Sequence, residues 1–186
     1  MWAAANFPPD LSMKVSGNAQ IISATNREVV MGQITSFVLS LGVVFAMLLL
    51  MFRSVTRSVL GVLPLLITVV LNFGMMGYTG ITLNIATAII ASVVIGIGVD
   101  FAIHYLARLD HGLASGLDLE AALAETMRHS GKAITSNAVT VSIGFLALTL
   151  SDLLPLRQVG LMIMQTLFVS AIATLLVLPA CVGLLR

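Results

Sequence analysis

Long runs of apolar residues, each closed by a short polar or glycine-containing break, divide most of this 186-residue chain. A membrane-crossing helix needs about 20 predominantly apolar residues. Five segments meet that length: 34–52, 59–78, 81–106, 133–150 and 159–185. Pro64 and Pro179 fall inside the second and fifth, where a membrane helix tolerates proline more readily than a soluble one. The pattern predicts an all-α, polytopic transmembrane helix bundle. Before the first span, residues 1–33 are polar, with Pro8, Pro9, Gly17 and Asn18 as turn signals. They are too few to bury a core and read as the end of an extracytoplasmic domain. Between the third and fourth spans, 118–129 predicts a short interfacial helix. Leu119, Leu123 and Met127 recur at helical spacing there, and Glu125 is within reach of Arg128 or His129.

Composition agrees with this division. Hydrophobic residues make up 59% of the chain and charged residues 9%, against about a quarter charged in a soluble domain; the mean hydropathy is +1.08. A formal net charge of +1 argues against nucleic acid as a partner. With Cys181 as the single cysteine, no internal disulfide and no Cys/His metal site can be built. No cofactor is implied, and the N-terminus does not read as a signal peptide. Arg53, Arg57, Arg108, Arg128, Lys132 and Arg186 lie on one side of the predicted spans, and Lys14, Arg27 and Arg157 on the other. That asymmetry places the N-terminus outside and the C-terminus in the cytoplasm.

Within this apolar background one residue stands out. Asp100 lies in the third span, and an aspartate near a helix centre costs roughly 2.5 to 3.5 kcal/mol even on insertion-based scales. In steps of four, Asn84, Ala88, Ser92, Gly96, Asp100, His104 and Arg108 share one helix face. Gly96 allows close helix approach, so this small and polar stripe is expected to face a helix bundle and not lipid. Similar faces run along the fourth span (Ser136, Thr140 and Gly144, with Asn137 adjacent) and along the fifth (Thr166, Ser170 and Thr174). A carboxyl that gains and loses a proton, flanked by hydroxyls, is the minimum for a proton-coupled switch. Asp100 is therefore the expected relay residue. His104, Tyr105, Ser136, Asn137 and Thr140 are its candidate supports, and Gly96, Gly98 and Gly144 are the candidate packing positions around it. Hydroxyls in membrane helices also serve packing alone, and His104 also suits a simple interfacial position.

The run Gly96-Ile97-Gly98-Val99-Asp100-Phe101-Ala102-Ile103-His104-Tyr105-Leu106-Ala107-Arg108 resembles the signature of the resistance-nodulation-division (RND) superfamily, and within it the MMPL-type exporters. Phe52-Arg53-Ser54, Thr82-Leu83-Asn84, Gly116-Leu117-Asp118, Ile143-Gly144-Phe145, Leu156-Arg157-Gln158-Val159-Gly160 and Leu178-Pro179-Ala180 resemble that family's pattern in order. The resemblance implies five consecutive helices of one transporter half (34–186), preceded by the end of a porter domain (1–33). It implies export of a hydrophobic or lipid-like substrate, driven by protons passing through the carboxylate matching Asp100. The partners it implies are membrane lipids, protons, that substrate and the missing half of the transporter, with oligomerisation left open. The setting it implies is a bacterial cytoplasmic membrane. Phe101 stands where many such exporters have tyrosine, so it offers no hydroxyl to a relay.

The same five-helix unit is similar to a sterol-sensing domain, which implies a lipid-binding or regulatory module that does not pump. An intramembrane aspartyl protease needs two neighbouring carboxyls. Asp10, Asp110, Asp118 and Asp152 all fall outside the expected spans, so no enzyme is expected.

Overall fold

A computed structural model describes residues 18–81 and 85–184. Six α-helices follow one another, and no strand occurs among the described residues: α1 (Asn18–Phe52), α2 (Val55–Thr79), α3 (Ile85–Ala114), α4 (Leu119–Thr126), α5 (Lys132–Leu146) and α6 (Leu154–Leu184). A π-helical turn, Met127–Gly131, joins α4 to α5, and a 3₁₀ turn, Ala147–Leu150, ends α5. The all-helical class expected from the sequence is what the chain adopts. By length and composition, α1 from Met31, α2, the continuous stretch Leu119–Leu150 and α6 are each able to cross a membrane. The 30-residue α3 carries the third expected span.

The breaks between helices follow local chemistry. Arg53 takes a left-handed φ of 48° in the two-residue link from α1 to α2. Gly80 closes α2 with φ 70°, a conformation that costs glycine little, and both its N–H and that of Ile81 donate to the Met76 carbonyl. Gly116, with φ 87°, turns the chain after α3. Asp118 then caps α4, its carboxylate accepting from the Ala121 N–H at 3.1 Å. Pro64 inside α2 removes one helical donor, and its own carbonyl accepts the Thr68 hydroxyl at 2.8 Å.

Two boundaries differ from those expected. Residues 18–33, read as a polar tail, continue the first membrane helix upstream as part of α1. Polar residues are compatible with a helix where no proline intervenes, and the described helix begins at Asn18. The remainder of that tail, 1–17, lies outside the described residues, as do Thr82-Leu83-Asn84 and residues 185 and 186. The short helix expected over 118–129 forms as α4, but its C-terminal end runs on without a break into the next segment. Met127 and Lys132 hold right-handed helical dihedrals, and Gly131 is buried where an added Cβ would meet Met127 Sδ at 3.1 Å. The chain therefore passes from α4 into α5 through one wide turn.

In the bundle, α6 packs against α2, α3 and α5, while α1 lies at the periphery against α2 and α3. Leu65, Ile90, Ala102, Tyr105, Leu106, Leu167 and Leu178 are among the core residues. Glycines set the closest approaches. A Cβ at Gly61 would lie 3.1 Å from Leu48 and 3.3 Å from Leu106, where α1, α2 and α3 meet. Most of the outward face of α1, from Met31 through Val38 and Val43 to Leu50, is apolar and exposed, as suits a lipid-facing helix.

Candidate functional site

The third helix has two chemically different faces. Inward it presents Ile95, Val99, Ala102, Tyr105, Leu106 and Leu109, all buried. Outward it presents Ser92, Gly96, Asp100 and His104. The Asp100 side chain is 60% exposed and that of His104 69%, with Nε2 of the histidine 3.7 Å from Oδ1 of the aspartate one turn away. Four-residue spacing aligns the two groups, as the sequence required. The expectation that this stripe packs into the bundle is corrected: within the five-helix unit it points out.

Each candidate support can now be placed. The Asn137 side chain shares an open groove of about 340 Å³ with His104, Arg108, His129 and Ser130. The Ser130 hydroxyl makes a long contact, 3.4 Å, to the His104 carbonyl. Ser136 lines a different groove, of about 450 Å³, with Met127, Lys132 and Leu175. Thr140 and Gly144 are exposed on α5. Tyr105 is fully buried, five residues beyond Asp100 and on the opposite side of α3. Of the expected packing glycines, only Gly98 packs within the unit. A Cβ there would fall 2.9 Å from Leu65 Cδ1 and 3.6 Å from Ser170 Oγ, whereas Gly96 and Gly144 have no heavy atom within 4 Å of that position. Thr166, Ser170 and Thr174 of α6 are buried in the interior and are not neighbours of the outward carboxylate.

Ion pairs join the ends of the helices in a way that sequence spacing does not show. Arg57 at the start of α2 donates to Asp110 near the end of α3 at 2.6 Å. Arg108 donates to Glu125 of α4 at 2.7 Å. Glu125 therefore pairs across helices and not with Arg128 or His129; His129 Nδ1 instead lies 3.1 Å from the Glu125 backbone carbonyl. Asp110 is 24% exposed, and burial pushes its carboxyl above the ordinary value further than the neighbouring Arg57 draws it down. The signal available in the sequence was only the excess of charge near residues 53–57 and 108–110.

The helix order, the outward carboxylate and the glycine contacts can be set beside known proteins. The model of the MMPL family matches residues 2–185. The chain belongs to the MMPL family. A membrane protein of Methanocaldococcus jannaschii is 29% identical over 178 residues, covering 95% of this chain and 45% of the relative. The trehalose monomycolate exporter MmpL3 of Mycobacterium tuberculosis is 25% identical over 177 residues, covering 94% of this chain and 19% of the exporter. Protein dispatched homolog 1 of Mus musculus is 28% identical over 139 residues, or 75% of this chain and 9% of that protein. The MMPL-family chain thus spans less than half the length of each of these relatives. Membership and its apolar helices make it an integral membrane protein.

Proposed function

We propose that this chain forms part of a proton-driven exporter of hydrophobic or lipid-like molecules, with Asp100 as the intramembrane residue that takes up and releases the proton. The observation that carries the reading is the outward Asp100–His104 pair in a membrane helix. Left against lipid, the carboxylate is costly by roughly 2.5 to 3.5 kcal/mol. A further set of helices covering this face, the other half of the transporter, removes that cost. Gly96 and Gly144 leave room for close approach on the same exposed surface. The similarity to an MmpL exporter supports transport and a lipid-like substrate.

Protonation of Asp100 neutralises it, weakens its attraction to His104 and to polar groups of the covering helices, and lets those helices repack. Asn137, in the groove beside His104, is placed to hydrogen-bond the changing pair, and the exposed Ser136 and Thr140 are further hydroxyls on α5. The basic residues at 53, 57, 108, 128 and 132 support a cytoplasmic position for that end, in an inner membrane with the N-terminus outside. In the full-length protein, Asp100→Asn abolishes export and proton flux while leaving insertion intact. Unchanged flux and export in that variant exclude the relay.

The two open grooves beside α5 favour a second reading, a lipid-binding regulatory module that does not pump. Tight lipid binding without any proton flux in the full-length protein selects this reading over the first.

A further inference from the structure

The buried polar groups of α6 are left over once Asp100 is assigned to the outward face. Thr166, Ser170 and Thr174 recur every four residues, share one face and extend over about 12 Å of helix; all three are fully buried. Thr166 is satisfied at both ends. Its hydroxyl donates to the Met162 carbonyl at 2.7 Å and accepts from the Asn72 side-chain amide. The Ser170 and Thr174 hydroxyls have no protein partner, nor does the carbonyl oxygen of the Asn72 side chain. The same is true of the Tyr105 phenol. Each of these four residues is at least nine-tenths buried.

Depth along the bundle puts these groups in one seam. Asn72 sits opposite Thr166, and Ser170 lies opposite Gly98 and Leu65. Successive crossings make α3 and α6 run in the same direction. Thr174 therefore lies one turn further along, and Tyr105, whose ring leans back toward the start of its helix, lies near that level. A small cavity of about 10 Å³ adjoins Asn72, lined also by Met76, Thr87, Ile90 and Met162. That is close to the least space a single water occupies. Buried polar groups without a protein partner are commonly satisfied by ordered water.

We infer that the interior of the five-helix unit holds a seam of ordered water sites along α6, the first at the Asn72 amide and the others at Ser170, Thr174 and Tyr105. A water at the first site donates to the free Asn72 oxygen beside Thr87. Water in the seam makes one face of α6 continuous for hydrogen bonding from Asn72 to Tyr105, on the inner side of α3 and away from Asp100.

X-ray radiolysis of the full-length protein in lipid nanodiscs tests the inference, because bound water yields hydroxyl radicals where it sits. Mass spectrometry is expected to find oxygen added to buried Met76, Met162 and Tyr105. That labelling should persist in a bulk radical scavenger that quenches the exposed Met127. Asn72→Leu lowers labelling of Met76 and Met162 several-fold, and Ser170→Ala with Thr174→Val lowers that of Tyr105. Absence of labelling at all three wild-type residues, or its loss together with that of Met127, overturns the inference.

Discussion

The tightest glycine contact in the bundle yields a prediction whose sign and size follow from geometry. Gly160, in the run Leu156-Arg157-Gln158-Val159-Gly160, is buried near the start of α6. A Cβ added there would lie 2.8 Å from the Phe145 carbonyl oxygen, 2.9 Å from Leu148 Cβ and 3.2 Å from Thr149 Cγ2. Two of the three obstacles are a backbone oxygen and a Cβ, which no rotamer change can move. Gly160→Ala must therefore push α6 from the end of α5 by roughly half an ångström to regain ordinary carbon contacts of about 3.5 Å. Overpacking of this kind costs about 1–3 kcal/mol, and alanine's better helix propensity returns up to about 1 kcal/mol. The expected net loss is about 1–2 kcal/mol, or roughly 5- to 30-fold in the folded-to-unfolded ratio. Gly42→Ala, on the exposed face of α1, is the control, since no heavy atom lies within 4 Å of its added methyl. Thermal and denaturant unfolding of the full-length variants in one detergent, followed by circular dichroism, reads the difference. Equal stability of Gly160→Ala and Gly42→Ala refutes the claim that Gly160 sets the approach of these segments.

Two further predictions concern polar pairs between helices. Burial raises the folded-state carboxyl of Asp110, at the end of α3 beyond the expected span, above its ordinary value of 3.8. Its contribution is full below that ordinary value and is lost as pH rises through the higher folded one. Stability measured by thermal unfolding across the acid range should therefore lose part of its decline with rising pH in Asp110→Asn, and decline more steeply in Arg57→Ala. An unchanged pH slope in both variants contradicts the assignment. Thr166→Val leaves the Asn72 side-chain amide without its acceptor and should cost roughly 1–2 kcal/mol; stability equal to wild type in denaturant titration argues that the pair is not formed.

The all-helical class, with helices long and apolar enough to cross a membrane, was legible in the chain because it is a local property, the length of an apolar run against the thickness of a bilayer. Residues 18–33 and 118–129 were harder, because a polar or charged stretch without proline reads equally well as a surface segment or as the continuation of a helix. In the second of these the helix continues through the π turn Met127–Gly131, where Gly131 is buried close to Met127 and Leu175. Spacing showed that Ser92, Gly96, Asp100 and His104 share a face, and that Thr166, Ser170 and Thr174 share another. It could not show which way either face points. In a soluble helix the apolar side identifies the core, but in a membrane lipid tails are as apolar as leucine, so the pattern has no inside. Only the packing of α2, α3 and α6 through Gly98, Leu65 and Ser170 turned the hydroxyls of α6 inward and left Asp100 outward. The carboxylate was marked by sequence as the costly residue; its exposure on the outer face of the unit came from tertiary structure.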